Sequence, residues 1–168
     1  MSAPAPGSPG QPAGLVLRIM AMIYEGVLLF GVTFAAGFAV LSLTGWTAPL
    51  SGLRRFVLQA ALFAAIGAYF VGCWSRSGQT LALKTWKLRV VDGDGRSPAL
   101  PRATARYLLS WTLFLPGLAC IAIFEPSRTG SLTALALGFV VLLIPALFDP
   151  QRRLLHDRWT GTRIVRDR

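Results

Sequence analysis

Four apolar runs, residues 15–43, 56–74, 107–124 and 131–148, punctuate a chain whose other segments are polar and rich in arginine. A helix rises about 1.5 Å per residue, so about 20 apolar residues cross a hydrocarbon core about 30 Å thick. The first run exceeds that length, and its helix is expected to tilt or to protrude at the Arg18 end. The second is of span length. Pro116-Gly117 interrupts the third, which predicts a kink or a short discontinuous helix, and Pro145 falls near the end of the fourth. These two runs sit near the lower limit for a span, with a re-entrant course as the alternative for either. The pattern predicts an all-α transmembrane fold, a four-helix membrane bundle.

Small residues recur every four positions in two runs. Ala60, Ala64, Ala68 and Gly72 form one stripe, and Gly31, Ala35 and Ala39 form another. Such stripes let helices approach closely, so they are the expected contact between the first two helices. The connection 44–55 holds the helix breakers Gly45, Pro49 and Gly52. Between the second and third runs lies TLALKTWKLRVV, then DGDGRSPAL. As a surface helix over Thr80 to Leu88, the first piece would turn Leu81, Leu83, Trp86 and Leu88 inward and Lys84, Lys87 and Arg89 toward anionic headgroups. Its second half also alternates polar and apolar residues, which suits a short strand turning at Asp92 to Gly95 into a β-hairpin. The same DGDG lacks the later ligands and closing Glu of a calcium loop. Residues 1–14, built of Pro, Gly, Ala and Ser, have little to bury and are expected to form a disordered tail before a membrane domain over 15–168.

Composition agrees with a lipid environment: 54% of residues are hydrophobic, 14% are charged and mean hydropathy is +0.55. The formal net charge of +10 would fit nucleic acid, but no recognition helix or aromatic platform accompanies the basic residues. Their distribution fits a membrane better. With four spans, Arg18, the basic residues from Arg76 to Arg106 and those from Arg152 to Arg168 share one side, against Arg54, Arg55 and Arg128 on the other. The positive-inside rule then puts both termini and the middle loop in the cytoplasm, in a multi-pass protein of the bacterial inner membrane. Cys73 and Cys120 read as small apolar residues, and His156 as the sole histidine forms no metal cluster. No cofactor is expected, and the absence of a nucleophile triad, phosphate loop or paired buried carboxylates argues against an enzyme.

Ionisable groups inside a span cost about 2.5–3.5 kcal/mol at mid-helix, so each needs a reason. Glu25 is the acid lying well within an apolar run. Arg18 precedes it by seven residues, about two turns, so both project from one face. One reading makes Glu25 a hydrogen-bonded acid that joins helices, with Arg18 a snorkelling anchor. The other makes Glu25 a protonatable site on a small aqueous cavity. Asp149, His156 and Asp157 lie in FDPQRRLLHDRWTGTRIV, where ion pairs with neighbouring arginines compete with a ligand-binding role.

The pieces LRIMAMIYEGVLLF, SGQTLALKTWKLRVVDGDGRSPALPRATARYLLSW and LFDPQRRLLHDRWTGTRIV resemble the RDD family of small bacterial membrane proteins, named for one arginine and two aspartates. Arg18 matches the family arginine. Glu25 stands where the family has its first aspartate, keeping the carboxyl on a longer arm. Asp157 matches the other aspartate, with Asp149 a further candidate, and Ala82 stands where glycine is common. The resemblance implies a transport role, with ion exchange in some members. On that basis Glu25 titrates, Arg18 and Asp157 hold a cytoplasmic vestibule, and Arg102 or Arg106 supplies countercharge, in a chain expected to form homo-oligomers. The alternative is a non-transporting anchor or assembly factor whose basic face binds anionic lipid or a membrane-protein partner.

Overall fold

The computed structural model describes residues 13–47, 49–124, 127–149 and 153–167. Two long apolar helices, α1 (Leu15–Thr44) and α2 (Gly52–Ser77), pack side by side. Gly45, in the left-handed conformation at φ 66°, ends α1 and starts the return. Both helices are long and apolar enough to cross a membrane. A helix of this kind in a soluble protein would be buried in the core, yet Phe30, Phe34 and Phe38 of α1 are 73%, 66% and 67% exposed. A continuous apolar face of that size needs lipid or protein as its solvent.

The contact between α1 and α2 does not follow the two small-residue stripes. Gly31, Ala35, Ala39, Ala60, Ala64 and Ala68 are all exposed, and Gly72 has open space in front of it. The real seam runs where Tyr69 meets Glu25 and Leu62 meets Gly37. A polar tether and the larger side chains fix the rotation of the helices, and a regular alanine spacing elsewhere carries no such directional bond.

After α2 the chain builds a small cap at one end of the helices. Helix α3 (Leu81–Thr85) and strand β1 (Leu88–Val91) follow, then a turn in which Asp92 accepts the Asp94 and Arg96 N–H groups, both at 3.0 Å. The expected surface helix to Leu88 therefore stops at Thr85. Lys87, at φ 50°, reverses the chain, and Leu83 and Leu88 enter the cap core while Leu81 stays exposed. The expected hairpin is also corrected. β1 pairs antiparallel with the distant β2 (Arg163–Arg166), Val90 opposite Ile164, because the chain after the Asp92 turn becomes helix α4 (Leu100–Ser110).

A 3-10 turn at Trp111–Leu113 separates α4 from α5 (Leu115–Phe124). Pro116 has no N–H to bond the carbonyl one turn back, and the break falls in that preceding turn, ahead of the proline. At ten residues α5 rises only about 15 Å, half a hydrocarbon core. It packs against α6 (Arg128–Phe148) at a glycine pair: a Cβ on Gly117 would lie 2.7 Å from the Leu135 Cα, and one on Gly138 would lie 2.8 Å from the Gly117 nitrogen. Helix α7 (Leu155–Trp159) then leads into β2.

The cap core joins Trp74, Leu83, Leu88, Val90, Ala103, Tyr107 and Ile164. Of the tail, residues 1–12 lie outside the described residues. Ala13 is buried, and its N–H donates to the Ile164 carbonyl at 3.1 Å, so the start of α1 and strand β2 meet at the same end of the molecule.

Candidate functional site

The sequence GQT, residues 78–80, works as a three-residue joint between membrane helix and cap. Gly78 closes α2 at φ 71°, and a Cβ there would sit 2.5 Å from the Val90 carbonyl oxygen, so a residue with a side chain fits neither the angle nor the space. Gln79 donates from its side-chain amide to the Leu88 carbonyl (2.8 Å) and to Asp167 (2.9 Å), tying both strands. Thr80 caps α3, its hydroxyl accepting the Leu83 N–H at 3.3 Å.

That same hydroxyl donates to Glu25 Oε2 at 2.5 Å, and Tyr69 donates to Glu25 Oε1 at 2.7 Å. Two hydroxyls, one of which also caps α3, therefore hold the two oxygens of one carboxylate, which joins α1, α2 and the cap. The countercharge expected from Arg102 or Arg106 is not what holds Glu25. Arg102 pairs at 3.5 Å with Asp92 on an exposed surface, and Arg106 is committed elsewhere.

A second carboxylate gathers the remaining charges. Asp157 is wholly buried and accepts from Arg18 on one oxygen, from Arg106 on the other, and from the Leu154 N–H at 3.1 Å. Arg106 also donates to Thr162 at 2.6 Å and stacks 4.9 Å from the centre of the Trp74 ring. Burial opposes the charged form of Asp157, but Arg106, His156 and Arg18 outweigh it and hold the carboxyl well below the usual range. His156 lies with its Nε2 3.4 Å from Asp157, and burial, reinforced by the Arg106 charge, pushes its pKa down to about 3. It is neutral at physiological pH. Asp149 belongs to neither cluster. It pairs with Arg153 at 3.2 Å, and the hydrogen bonds from that residue lower its pKa.

Arg18, Glu25, Arg106 and His156 all line one cavity of about 520 Å³. Its walls are mostly apolar, with Leu29, Phe70, Leu118 and Leu135 among them. Asp157 sits behind the lining, holding the two arginines in place. Sequence reading missed Tyr69, Thr80 and Thr162. A cap signal was present for Thr80, which precedes the run LALK, whereas the partners of Tyr69 and Thr162 are set by tertiary contact.

Long apolar helices with an exposed apolar face, a compact cap, and buried charges gathered at their junction define a small helical protein of the membrane type. The RDD family model matches residues 12–161, and the chain belongs to that family. No curated protein and no solved structure matches the chain.

Proposed function

We propose that the chain is a non-enzymatic, transport-type membrane protein in which proton exchange at Glu25 is coupled to passage of a small solute or ion. The observation that carries this reading is the shared cavity: a membrane-level acid, two arginines and a neutral histidine face one space instead of lying scattered. Four passes fit the helix lengths, with α1 and α2 full spans, α6 at 21 residues about 31 Å long, and α4 to α5 a discontinuous pass. The cap, with both chain ends, then lies in the cytoplasm of a bacterial inner-membrane protein. In proteoliposomes, Glu25→Gln is expected to lower proton-coupled flux at least tenfold and Glu25→Asp to keep part of it; flux unaffected by the Gln variant removes the titrating role.

A non-transporting anchor is the second reading. It is favoured by the exposed Trp159 and Leu81 on a cap that also exposes Lys84, Lys87 and Arg158, a mixture suited to anionic headgroups. Neutralising Lys84, Lys87 and Arg89 would then abolish association with anionic lipid or a partner, while Glu25→Gln left the cellular phenotype intact.

A further inference from the structure

The cavity occupies a gap in the helix packing. Helix α1 packs on α2 and α3, and α5 packs on α6, while Gly26 and Leu29 of α1 and Phe114, Leu118 and Leu135 of the later helices line the space between. At about 520 Å³ it falls within the range of about 300–1,000 Å³ typical of small-molecule sites. Phe114 and Leu118 are exposed as well as lining it, so the space opens sideways at the level of the apolar helices.

Three buried nitrogens on the cavity wall have no hydrogen-bond partner among the described residues: Trp74 Nε1, Arg106 Nε and His156 Nδ1. The residues that carry them are only 7%, 2% and 4% exposed. They are also contiguous, since the Arg106 guanidinium stacks on the Trp74 ring, and Arg106 and His156 approach the same oxygen of Asp157. A buried polar atom without a partner gives up the hydrogen bond it made in water, so one head group that satisfies all three recovers that loss on binding.

The chemistry of the three atoms defines the head. Indole Nε1 and guanidinium Nε only donate. His156 is neutral, and its Nε2 lies 3.4 Å from the Asp157 carboxylate, which keeps the ring proton on that nitrogen and leaves Nδ1 as an acceptor. The head therefore needs acceptors for two donors and one proton to give. A carboxyl group has that set on two oxygens. An ester or ketone has no proton to give, and a primary amide brings a second N–H without an acceptor. An alcohol must meet all three groups with one atom. Charge separates them further: Arg18 and Arg106 share the single carboxylate of Asp157, and this positive excess favours a head whose oxygens can take up negative charge. The other walls are mostly apolar, so the body of the guest is apolar too, and a bare ion would lose its hydration there.

We infer that this cavity binds a lipophilic monocarboxylic acid, its oxygens accepting from Trp74 Nε1 and Arg106 Nε, its proton donated to His156 Nδ1 and its body lying along Leu29, Phe114 and Leu118. The inference rests on the transport reading only in naming the solute of the same cavity, and occupancy can be measured without any flux.

Gly26 and Trp74 supply the test. A Cβ at Gly26 or Gly31 meets nothing within 4 Å, but Gly26 lines the cavity and Gly31 does not. The full chain in nanodiscs of neutral lipid is exposed to decanoic acid bearing a terminal diazirine, and labelled residues are mapped by mass spectrometry. Labelling at Met22, Leu29, Phe114 or Leu118 is expected to saturate and to be displaced at least tenfold better by decanoic acid than by decanol, decanamide or methyl decanoate. It should fall at least tenfold in Gly26→Phe and in Trp74→Phe, which keeps a ring against Arg106 but loses the N–H, and persist in Gly31→Phe and Trp159→Phe. Labelling that rises linearly with probe, or is the same in Gly26→Phe and Gly31→Phe, means ordinary contact with surrounding lipid and overturns the site. Equal displacement by the alcohol, amide or ester overturns the carboxyl head, and undiminished labelling in Trp74→Phe overturns its placement. Tighter displacement by decanoic or by naphthoic acid assigns the body as a chain or a flat ring, both within the class. Saturable labelling in a chain without proton flux supports the site and removes only the transport reading; Glu25-dependent flux without saturable labelling overturns the carboxylic acid and leaves transport standing.

Discussion

Asp157 shows how one carboxylate can hold three parts of a chain. It receives Arg18 from α1, Arg106 from α4 and the Leu154 N–H from its own turn, all away from solvent. Removing its charge strands two buried guanidinium groups, a loss of about 3–5 kcal/mol for a broken buried pair. Asp157→Asn is therefore expected to lower the thermal midpoint of the detergent-solubilised protein markedly, whereas Asp149→Asn, which disturbs only a local pair with Arg153, changes it little. His156 gives this cluster a pH dependence. Its pKa falls from 6.5 to about 3 on folding, so between those values the unfolded chain takes up a proton that the folded chain refuses. Stability is full above about pH 6.5 and declines as pH falls toward 3. Asp157, depressed from 3.8, adds a loss in the same direction at lower pH. Unfolding midpoints between pH 7.5 and 4.5 should drop for the native chain and flatten in His156→Gln.

At the scale of elements, close approach is set by a few glycines and not by the regular stripes. Gly67 of α2 receives the Tyr107 ring of α4, whose hydroxyl donates to the Phe63 carbonyl at 2.7 Å. A Cβ at Gly67 would stand 2.8 Å from that ring. Gly67→Ala should cost about 1–3 kcal/mol by overpacking, read as a lower unfolding midpoint, while Gly72→Ala, facing open space, should be near neutral. The sequence showed that glycine was available at both positions. It could not show which one faced a neighbour, because a helix repeats its faces without naming what lies opposite. The cap went the same way. Alternation marked β1 as a strand, yet its partner lay beyond α4, α5, α6 and α7, and backbone hydrogen bonding is indifferent to distance along the chain.

For the whole molecule, the bond between Ala13 and Ile164 and the β1–β2 ladder put the start of α1, the segment after α2 and the end of the chain at one end of the helices. On the proposed topology, in which that end is cytoplasmic, a membrane-impermeant thiol reagent applied to intact cells should label Leu50→Cys, and should reach Gly93→Cys only after permeabilisation, in a background with Cys73 and Cys120 replaced by serine. The reverse pattern would invert the orientation.

The sequence by itself determined the membrane character, the family, the two long spans and the segregation of arginine to the cap end, since these depend on the local free energy of moving side chains between water and lipid. It also singled out Arg18, Glu25, Asp157, His156 and Arg106. Only the tertiary structure decided that these residues line or support one cavity, that Glu25 is held by Tyr69 and Thr80 instead of an arginine, and that Arg102 and Asp149 stand apart. Burial makes a group expensive wherever it occurs, but the partner that offsets the expense is chosen by how helices rotate and strands pair, and that choice is made in space between residues far apart in the chain.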